Sequence, residues 1–368
     1  MENKKLGFGL MRLPLIDESD KGNIDVEHVK KMVDTFIERG FTYFDTAWMY
    51  CKFQSENATK AALVDRYPRE SYTLATKLHA NFFDTIEERD QIFEEQLKKT
   101  GVTYFDYYLI HDMNQERYEK YERLDCFNWI MDKKEKGLVK TIGFSFHDNA
   151  ELLDKILTEH PEMEFVQLQI NYIDWESDDV QSRKCYEVAV KHGVPVIVME
   201  PVKGGMLANV PAEVEKMFKD YNPDMTIPSW AVRFAASLDN VFMVLSGMSN
   251  MDQLVDNTDY MMDFKPLNEE ELALINKAVE IIKAQVEIPC TGCAYCVDGC
   301  PVNIPIPAYF NLVNECAKKV DPFGKYEKLS KDAGKASECV ECGQCEAICP
   351  QHIHIIDELK KVAERFEK

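Results

Sequence analysis

Residues 85–111 read TIEERDQIFEEQLKKTGVTYFDYYLIH. IEERDQIFEEQLKKT has the pattern of an amphipathic helix, Gly101 stands where a left-handed cap ends one, and FDYYLIH is a short apolar run of strand type. Outward from this unit the same succession recurs in both directions. Strands are expected at LGFGLMRL, TYFDTA, YTLATKL, FDYYLIH, TIGFSF, FVQLQIN, PVIVME and VFMVLSG. Between them lie helical patterns such as VEHVKKMVDTFIERG, FNWIMDKKEKG, NAELLDKILTEH and VQSRKCYEVAVKHG, with Gly40, Gly137 and Gly193 closing three of these helices. Eight strand–helix units in about 265 residues match the usual size of a (β/α)8 TIM barrel. A doubly wound open sheet would open a helix with G-x-G-x-x-G, and no such stretch occurs. The one G-x-G, Gly7-Phe8-Gly9, lies inside the first strand. Residues 1–285 are therefore assigned to an α/β barrel.

The remaining segment, 286–368, is set apart by its cysteines. Twelve Cys are present in 368 residues, and only Cys51, Cys126 and Cys185 precede Ile288. A secreted disulfide protein would spread its cysteines and begin with an apolar segment, whereas this chain begins MENKKLGFGLMRLP. A cytoplasmic location and metal-bound cysteines are expected. The net charge of −21 argues against nucleic acid or an anionic membrane as partner, because both require a basic face. A hydrophobic content of 45% suits a globular protein with a substantial core.

Two cysteine runs share one spacing. The first is Cys290-x2-Cys293-x2-Cys296-x3-Cys300-Pro301, and the second is Cys339-x2-Cys342-x2-Cys345-x3-Cys349-Pro350. Both fit the bacterial ferredoxin pattern, in which the fourth Cys ligates the other cluster. By that rule one 4Fe–4S cluster takes Cys290, Cys293, Cys296 and Cys349, and a second takes Cys339, Cys342, Cys345 and Cys300. A pair of zinc sites is the bland alternative, but C-x2-C pairs would suffice for zinc, which requires neither two matching four-member runs nor a closing Pro. Cys316, His352 and His354 have no ligand spacing; Cys316 is expected in a core and the two His at the surface. AYFNLVNECAKKV and IDELKKVAERF carry a helical period, so the segment resembles a small, mainly α-helical ferredoxin-like domain.

In barrels of this type catalytic groups collect where the strands end. Here strand two ends in Asp45 with Tyr50 five residues on, strand three in Lys77 and strand four in His111. FDTAWMY, ATK and LIHD resemble, in order and spacing, the Asp, Tyr, Lys and His tetrad of the aldo/keto reductase superfamily. The whole chain resembles the branch of that family bearing a ferredoxin-like domain. The resemblance implies that Tyr50 is a proton donor to a carbonyl, that Lys77, salt-bridged to Asp45, eases its proton release, and that His111 orients the carbonyl. Read singly, each could instead be a rim aromatic, a salt-bridge partner or a satisfied histidine.

The resemblance also implies a nicotinamide cofactor, NADPH or NADH. Ser145 after strand five and Gln167 on strand six would hold its carboxamide, although Phe146 stands where the family usually has Asn. Met199 takes the place of a stacking Tyr and can pack on a ring through its polarizable sulfur. After strand eight, Ser246, Gly247, Ser249, Gln253 and Asn257 are available, but no Lys or Arg for a 2′-phosphate. Lys203 is expected to be a solvated loop lysine rather than a phosphate ligand. His79, His147 and Cys51 are candidates to line a substrate pocket, with plain packing equally expected for Cys51.

Two functions follow. The first is an oxidoreductase acting on a small carbonyl or alcohol with a nicotinamide, its two clusters serving electron transfer, structure or redox sensing, with or without a redox partner protein. The second is an iron–sulfur electron-transfer protein whose barrel binds a partner or ligand without hydride chemistry. A hydride carries two electrons and a cluster passes one, and the sequence has no flavin signature to bridge them.

Overall fold

The computed structural model describes residues 4–17, 20–315 and 322–367. Its eight strands are β1 (Leu6–Gly9), β2 (Tyr43–Asp45), β3 (Thr73–His79), β4 (Phe105–Met113), β5 (Val139–Phe146), β6 (Phe165–Gln169), β7 (Val196–Met199) and β8 (Val241–Gly247). They are parallel, each pairs with the next, and β1 closes on β8 through Leu6↔Val244 to Gly9↔Gly247. The expected barrel is what the chain forms.

Closure fixes which side chains point inward. Tyr43, Ala75, Leu109, Phe165, Ile197, Met243 and Leu245 form one buried cluster inside the barrel. Successive strand residues face opposite sides. The residues two places on, Asp45, Lys77, His111, Gln167, Met199 and Gly247, therefore also face the axis, one layer nearer the C-terminal mouth. The alternate residues, among them Phe8, Phe44, Leu74, Tyr108 and Val166, face outward and are buried under the helices.

The helices form for local reasons that the sequence supplies. Helix Ile86–Thr100 starts at a capping box, Thr85 Oγ1 accepting from Glu88 N while the Glu88 carboxylate accepts from Thr85 N, and ends at Gly101 with φ of 74°. Helix Val26–Glu38 is capped by the Asp25 carboxylate and buries Val29, Met32, Val33 and Phe36, one face at helical spacing. Phe36 stacks on Phe41 with centroids 5.1 Å apart and meets Phe44 edge-on at 5.3 Å. Burying each such ring contributes about 1.5–3 kcal/mol.

The chain divides into two compact units. One comprises residues 1–177, 181–201 and 228–268, and holds all eight strands; the other comprises 178–180, 202–227 and 269–368. The second is helical among its described residues, with helices that include Glu269–Gln285, Ile306–Glu315, Pro322–Leu329 and Ile355–Phe366. Its own core contains Ile304, Ile306, Tyr309, Phe310, Tyr326, Leu359 and Phe366. Tyr309 OH donates to Gly334 O at 2.8 Å, and Tyr326 stacks on Phe366. Cys316 lies outside the described residues. Among them, no helix is long and apolar enough to cross a membrane.

Gly143 marks where barrel packing tolerates no side chain. A Cβ there would sit 2.3 Å from Phe165 O on the neighbouring strand, an atom that cannot swing away. Gly143→Ala is expected to cost at least about 1–3 kcal/mol by overpacking, measured as a lower urea midpoint at unchanged slope.

Candidate functional site

At the barrel mouth the inward parity brings Asp45, Lys77 and His111 together, and the turn that follows β2 adds Tyr50. Lys77 is fully buried and Asp45 is 3% exposed. Lys77 Nζ forms an ion pair with the Asp45 carboxylate and donates to Thr46 O at 2.8 Å. The same Nζ lies 4.9 Å from the centre of the Tyr50 ring. The Tyr50 and His111 rings meet edge to face with centroids 5.8 Å apart. Burial pulls Lys77 down from its ordinary value and pushes Asp45 up, and each opposes the other's shift. Neither charge could be left alone there without a large desolvation cost.

His111 is held well below the usual imidazole value by burial, with His79 and Lys77 adding to the shift. It is therefore neutral at pH 7, able to donate one hydrogen bond without carrying charge. Its Nδ1 is buried with no hydrogen-bond partner among the described residues.

Tyr50 opens onto an unusual backbone. Cys51, Lys52 and Phe53 have φ of 50°, 49° and 66°, three consecutive left-handed residues with a side chain on each. Such conformations cost roughly 1–2 kcal/mol per residue, and strain of this kind gathers at functional sites. The turn is fastened from below: Ser55 Oγ donates to Leu10 O at 2.9 Å and accepts from Thr46 Oγ1 at 2.8 Å. Cys51 Sγ faces Leu10 O and Met11 O, and burial pushes its thiol up to about 11, consistent with a packing role.

Behind His111 stands Asp112, at φ of 56° beside an irregularity in the β4–β5 register. His79 is 2% exposed; its Nδ1 accepts from Asn81 N, so Nε2 donates to the Asp112 carboxylate at 3.1 Å. Arg117 pairs with the same carboxylate at 3.1 Å, and His147 Nε2 lies 4.0 Å from it. Burial would raise the Asp112 pKa, but His147, the hydrogen bond from His79 and Arg117 outweigh it and hold it low. Both His79 nitrogens are thus engaged within the protein.

The residues expected near a nicotinamide fall into two groups. Ser145, fully buried, accepts from Asp112 N through Oγ at 2.8 Å. Gln167 is 2% exposed, and Met199 ends β7 half-buried. Ser246 has the opposite parity to Leu245 and Gly247. It faces helix Met251–Met262, where Asn257 Nδ2 donates to its Oγ at 2.7 Å and Tyr260 OH donates to Asn257 Oδ1. Ser249 Oγ donates to Arg12 O, and Ser249 N donates to Gln253 Oε1.

In the second unit the eight cysteines line two cavities. Cys290, Cys293, Cys296 and Cys349 share one; Cys300, Cys339, Cys342 and Cys345 share the other. This is the three-plus-one exchange expected from the spacing. Among the described residues no His, Cys, Asp or Glu group converges closely enough to hold a single ion. His352 and His354 are exposed. Lys203 departs from expectation: it is 2% exposed, its Nζ donating to Gln351 Oε1 at 2.8 Å, and is no solvated loop lysine.

A model of the aldo/keto reductase family matches residues 5–280, three quarters of the chain. The chain belongs to the aldo/keto reductase family. A 4Fe-4S dicluster domain model matches residues 289–354, the segment of the two cavities. An aldo-keto reductase of Bombyx mori is 24% identical over 283 residues, covering 70% of this chain and 84% of its own length. One of Mycobacterium avium is 27% identical over 239 residues, covering 65% and 77%. Among solved structures, an aldo-keto reductase of Klebsiella pneumoniae in complex with NADPH superposes with a TM-score of 0.58 at 18% identity, covering 74% of this chain and 90% of that one. The holo form of an aldo-keto reductase of Bacillus halodurans gives 0.59 at 22%, covering 74% and 91%. These likenesses speak to the fold.

This aldo/keto reductase is an oxidoreductase, and its mouth holds residues that sequence reasoning passed over. Arg12, three residues past β1, lies with its side-chain carbons about 3.5 Å from where a Cβ on Gly247 would be, and its buried Nη2 has no hydrogen-bond partner among the described residues. The pairing of Gly9 with Gly247 carries it there. Asp112 was hidden in the same way, its partners lying on three other segments.

The cysteine pairing predicts which lesions are equivalent. If each cavity holds one 4Fe–4S cluster, Cys290→Ser with Cys349→Ser in anaerobically purified protein should leave about half the iron, because both residues line the same cavity. Cys290→Ser with Cys300→Ser should disturb both. Equal iron in the two double variants would contradict the exchange.

Proposed function

We propose that the chain reduces a small-molecule carbonyl, or oxidises the corresponding alcohol, with a nicotinamide cofactor at the Tyr50, Lys77, Asp45 and His111 site. The observation that carries this reading is the placement of a buried, ion-paired Lys77 and a neutral His111 around one Tyr50 ring. A bound reduced nicotinamide supplies the hydride. The remaining work falls to the chain. As negative charge grows on the carbonyl oxygen, Tyr50 donates a proton to it. A free phenol has a pKa of about 10, so the Lys77 cation near the ring eases that release, and Asp45 keeps Lys77 charged in its buried place. His111, being neutral, offers a hydrogen bond to the same oxygen and fixes its direction.

The cofactor contacts follow from which groups still lack a partner. The Gln167 amide, buried on the inward face of β6, suits a carboxamide, and Ser145 retains a hydroxyl hydrogen beside it in the β5–β6 register. Met199 would pack on the ring. Arg12 supplies the cation missing after β8, which favours NADPH, the cofactor in the Klebsiella pneumoniae complex. The eight cysteines would hold two 4Fe–4S clusters as an accessory redox module, with a redox partner protein as their outlet. A pure electron-transfer role has less support, since a docking scaffold has no use for four convergent polar groups.

Titrating holoprotein with NADPH and NADH under anaerobic conditions, followed by turnover on a carbonyl panel, tests the reading. Failure to bind either nucleotide would sink it. Tyr50→Phe should keep NADPH affinity while kcat drops on the order of 10²–10⁴; undiminished turnover would remove Tyr50 from its role. Arg12→Met should weaken NADPH binding about ten- to a hundred-fold, the worth of one charge-assisted hydrogen bond. A parallel loss for NADH would assign Arg12 to the pyrophosphate instead.

A further inference from the structure

The pairing of β3 with β4 sets His79 directly beside His111. Strand residues paired laterally share a face, so both imidazoles lean into the mouth, where they are 2% and 6% exposed. Their rings meet edge to face with centroids 5.2 Å apart. Tyr50 meets the same His111 ring at 5.8 Å. The torsion that turns an imidazole is broad and roughly two-fold. A hydrogen bond at each nitrogen would narrow it, but the buried Nδ1 of His111 has no partner among the described residues. Its plane is therefore set by the rings packed against it.

The His79 ring, in contrast, is pinned at both nitrogens. Its Nδ1 accepts from Asn81 N at 3.1 Å, and its Nε2 donates to the Asp112 carboxylate at 3.1 Å. Arg117 pairs with that carboxylate at 3.1 Å, and Asp112 N donates to Ser145 Oγ at 2.8 Å. The strand ends are tied as well: the buried Tyr121 hydroxyl accepts from Ala80 N at 2.8 Å and donates to His111 O at 2.7 Å. The spacing between the two imidazoles is thus fixed through backbone and side chain alike. A substrate hydrogen bond to His79 would have to break one of its two bonds inside the protein, so direct recognition is the weaker use of this residue.

We propose that His79 is a positioning residue for the carbonyl reduction: its pinned ring sets the plane of the His111 imidazole and aims that imidazole's hydrogen bond at the carbonyl oxygen. The proposal rests on the reading of Tyr50, Lys77, Asp45 and His111 as the reacting site. Asp112 and Arg117 act one step further back, by holding His79. A hydrogen bond weakens steeply as it bends away from linearity, and small misplacements around a reacting bond are costly in rate. His79 therefore bears on the chemical step. The nucleotide, whose expected contacts are Ser145, Gln167, Met199 and Arg12, should bind without regard to it.

The test is steady-state kinetics on anaerobically prepared holoprotein, with NADPH and benzaldehyde as probes and nucleotide affinity measured separately by fluorescence. His79→Leu should lower kcat about ten- to a hundred-fold with NADPH affinity unchanged, because the aim of His111 is lost. His79→Phe, which keeps a ring against His111, should recover most of that loss. The deciding readout is a double-mutant cycle. In a His111→Ala background, His79→Leu should cost almost nothing further, since no imidazole is left to aim. An equal further loss there would overturn the proposal, as would an undiminished kcat in His79→Leu or a His79→Phe as slow as His79→Leu. If His79→Leu fails to fold, judged by circular dichroism and iron content, His79→Asn, smaller and polar but without a ring, carries the same comparisons. Full turnover by His111→Ala, or none by the unaltered protein with any carbonyl of the panel, would instead strike at the reading of the site.

Discussion

A closed barrel of parallel strands leaves each inward residue no freedom about its neighbours. Once β1 pairs with β8, the side chains facing the axis are stacked in layers, and the layer at the C-terminal ends is set by the layer below it. Tyr43, Ala75 and Leu109 fill the interior with apolar bulk, and two residues further Asp45, Lys77 and His111 emerge where that packing stops. The geometry of the mouth is thus a by-product of the register that keeps the core dry. A slip of one residue in β3 would turn Lys77 outward under the helices and put Thr76 or Leu78 in its place.

That outer layer is itself polar behind Lys77. Glu56, fully buried, accepts from Thr76 Oγ1 and Gln96 Nε2, and Tyr108 OH donates to Gln96 Oε1. Buried groups of this kind stabilise only when each is satisfied. The strand therefore has hydrogen-bonded residues on both faces at the level of the Lys77 ammonium, which limits how far Lys77 can shift. Together with the left-handed turn after Tyr50, it suggests a site whose members are held by the scaffold before any substrate arrives.

The strand–helix succession, the glycine caps, the tetrad and the cysteine exchange were legible in the sequence because each is a matter of short-range spacing. Ser246 and Asn257 show where that reading loses resolution. Both lie in the expected stretch, but strand parity turns Ser246 toward the helix, where Asn257 meets it. Arg12 and Lys203 escaped for another reason. One is brought to β8 by closure of the barrel, and the other meets a glutamine near the far end of the chain. Nothing local in MRLP or VKGGM announces a partner so distant in sequence. His79 was visible as a mouth residue, but only the structure shows both its nitrogens already committed.

The exchange of cysteines between the two cavities has a consequence for the topology of the chain. A cluster bound by Cys290 and Cys349 would close one long loop, and a cluster bound by Cys300 and Cys345 would close a second nested within it. Each acts on the unfolded ensemble as a cross-link does, removing conformations that an open chain could explore. Because the loops share their interior, neither cluster can be released without loosening the span the other encloses. Metal binding and polypeptide order would then form one cooperative system, with loss of either cluster felt by the core that the helices of the segment build.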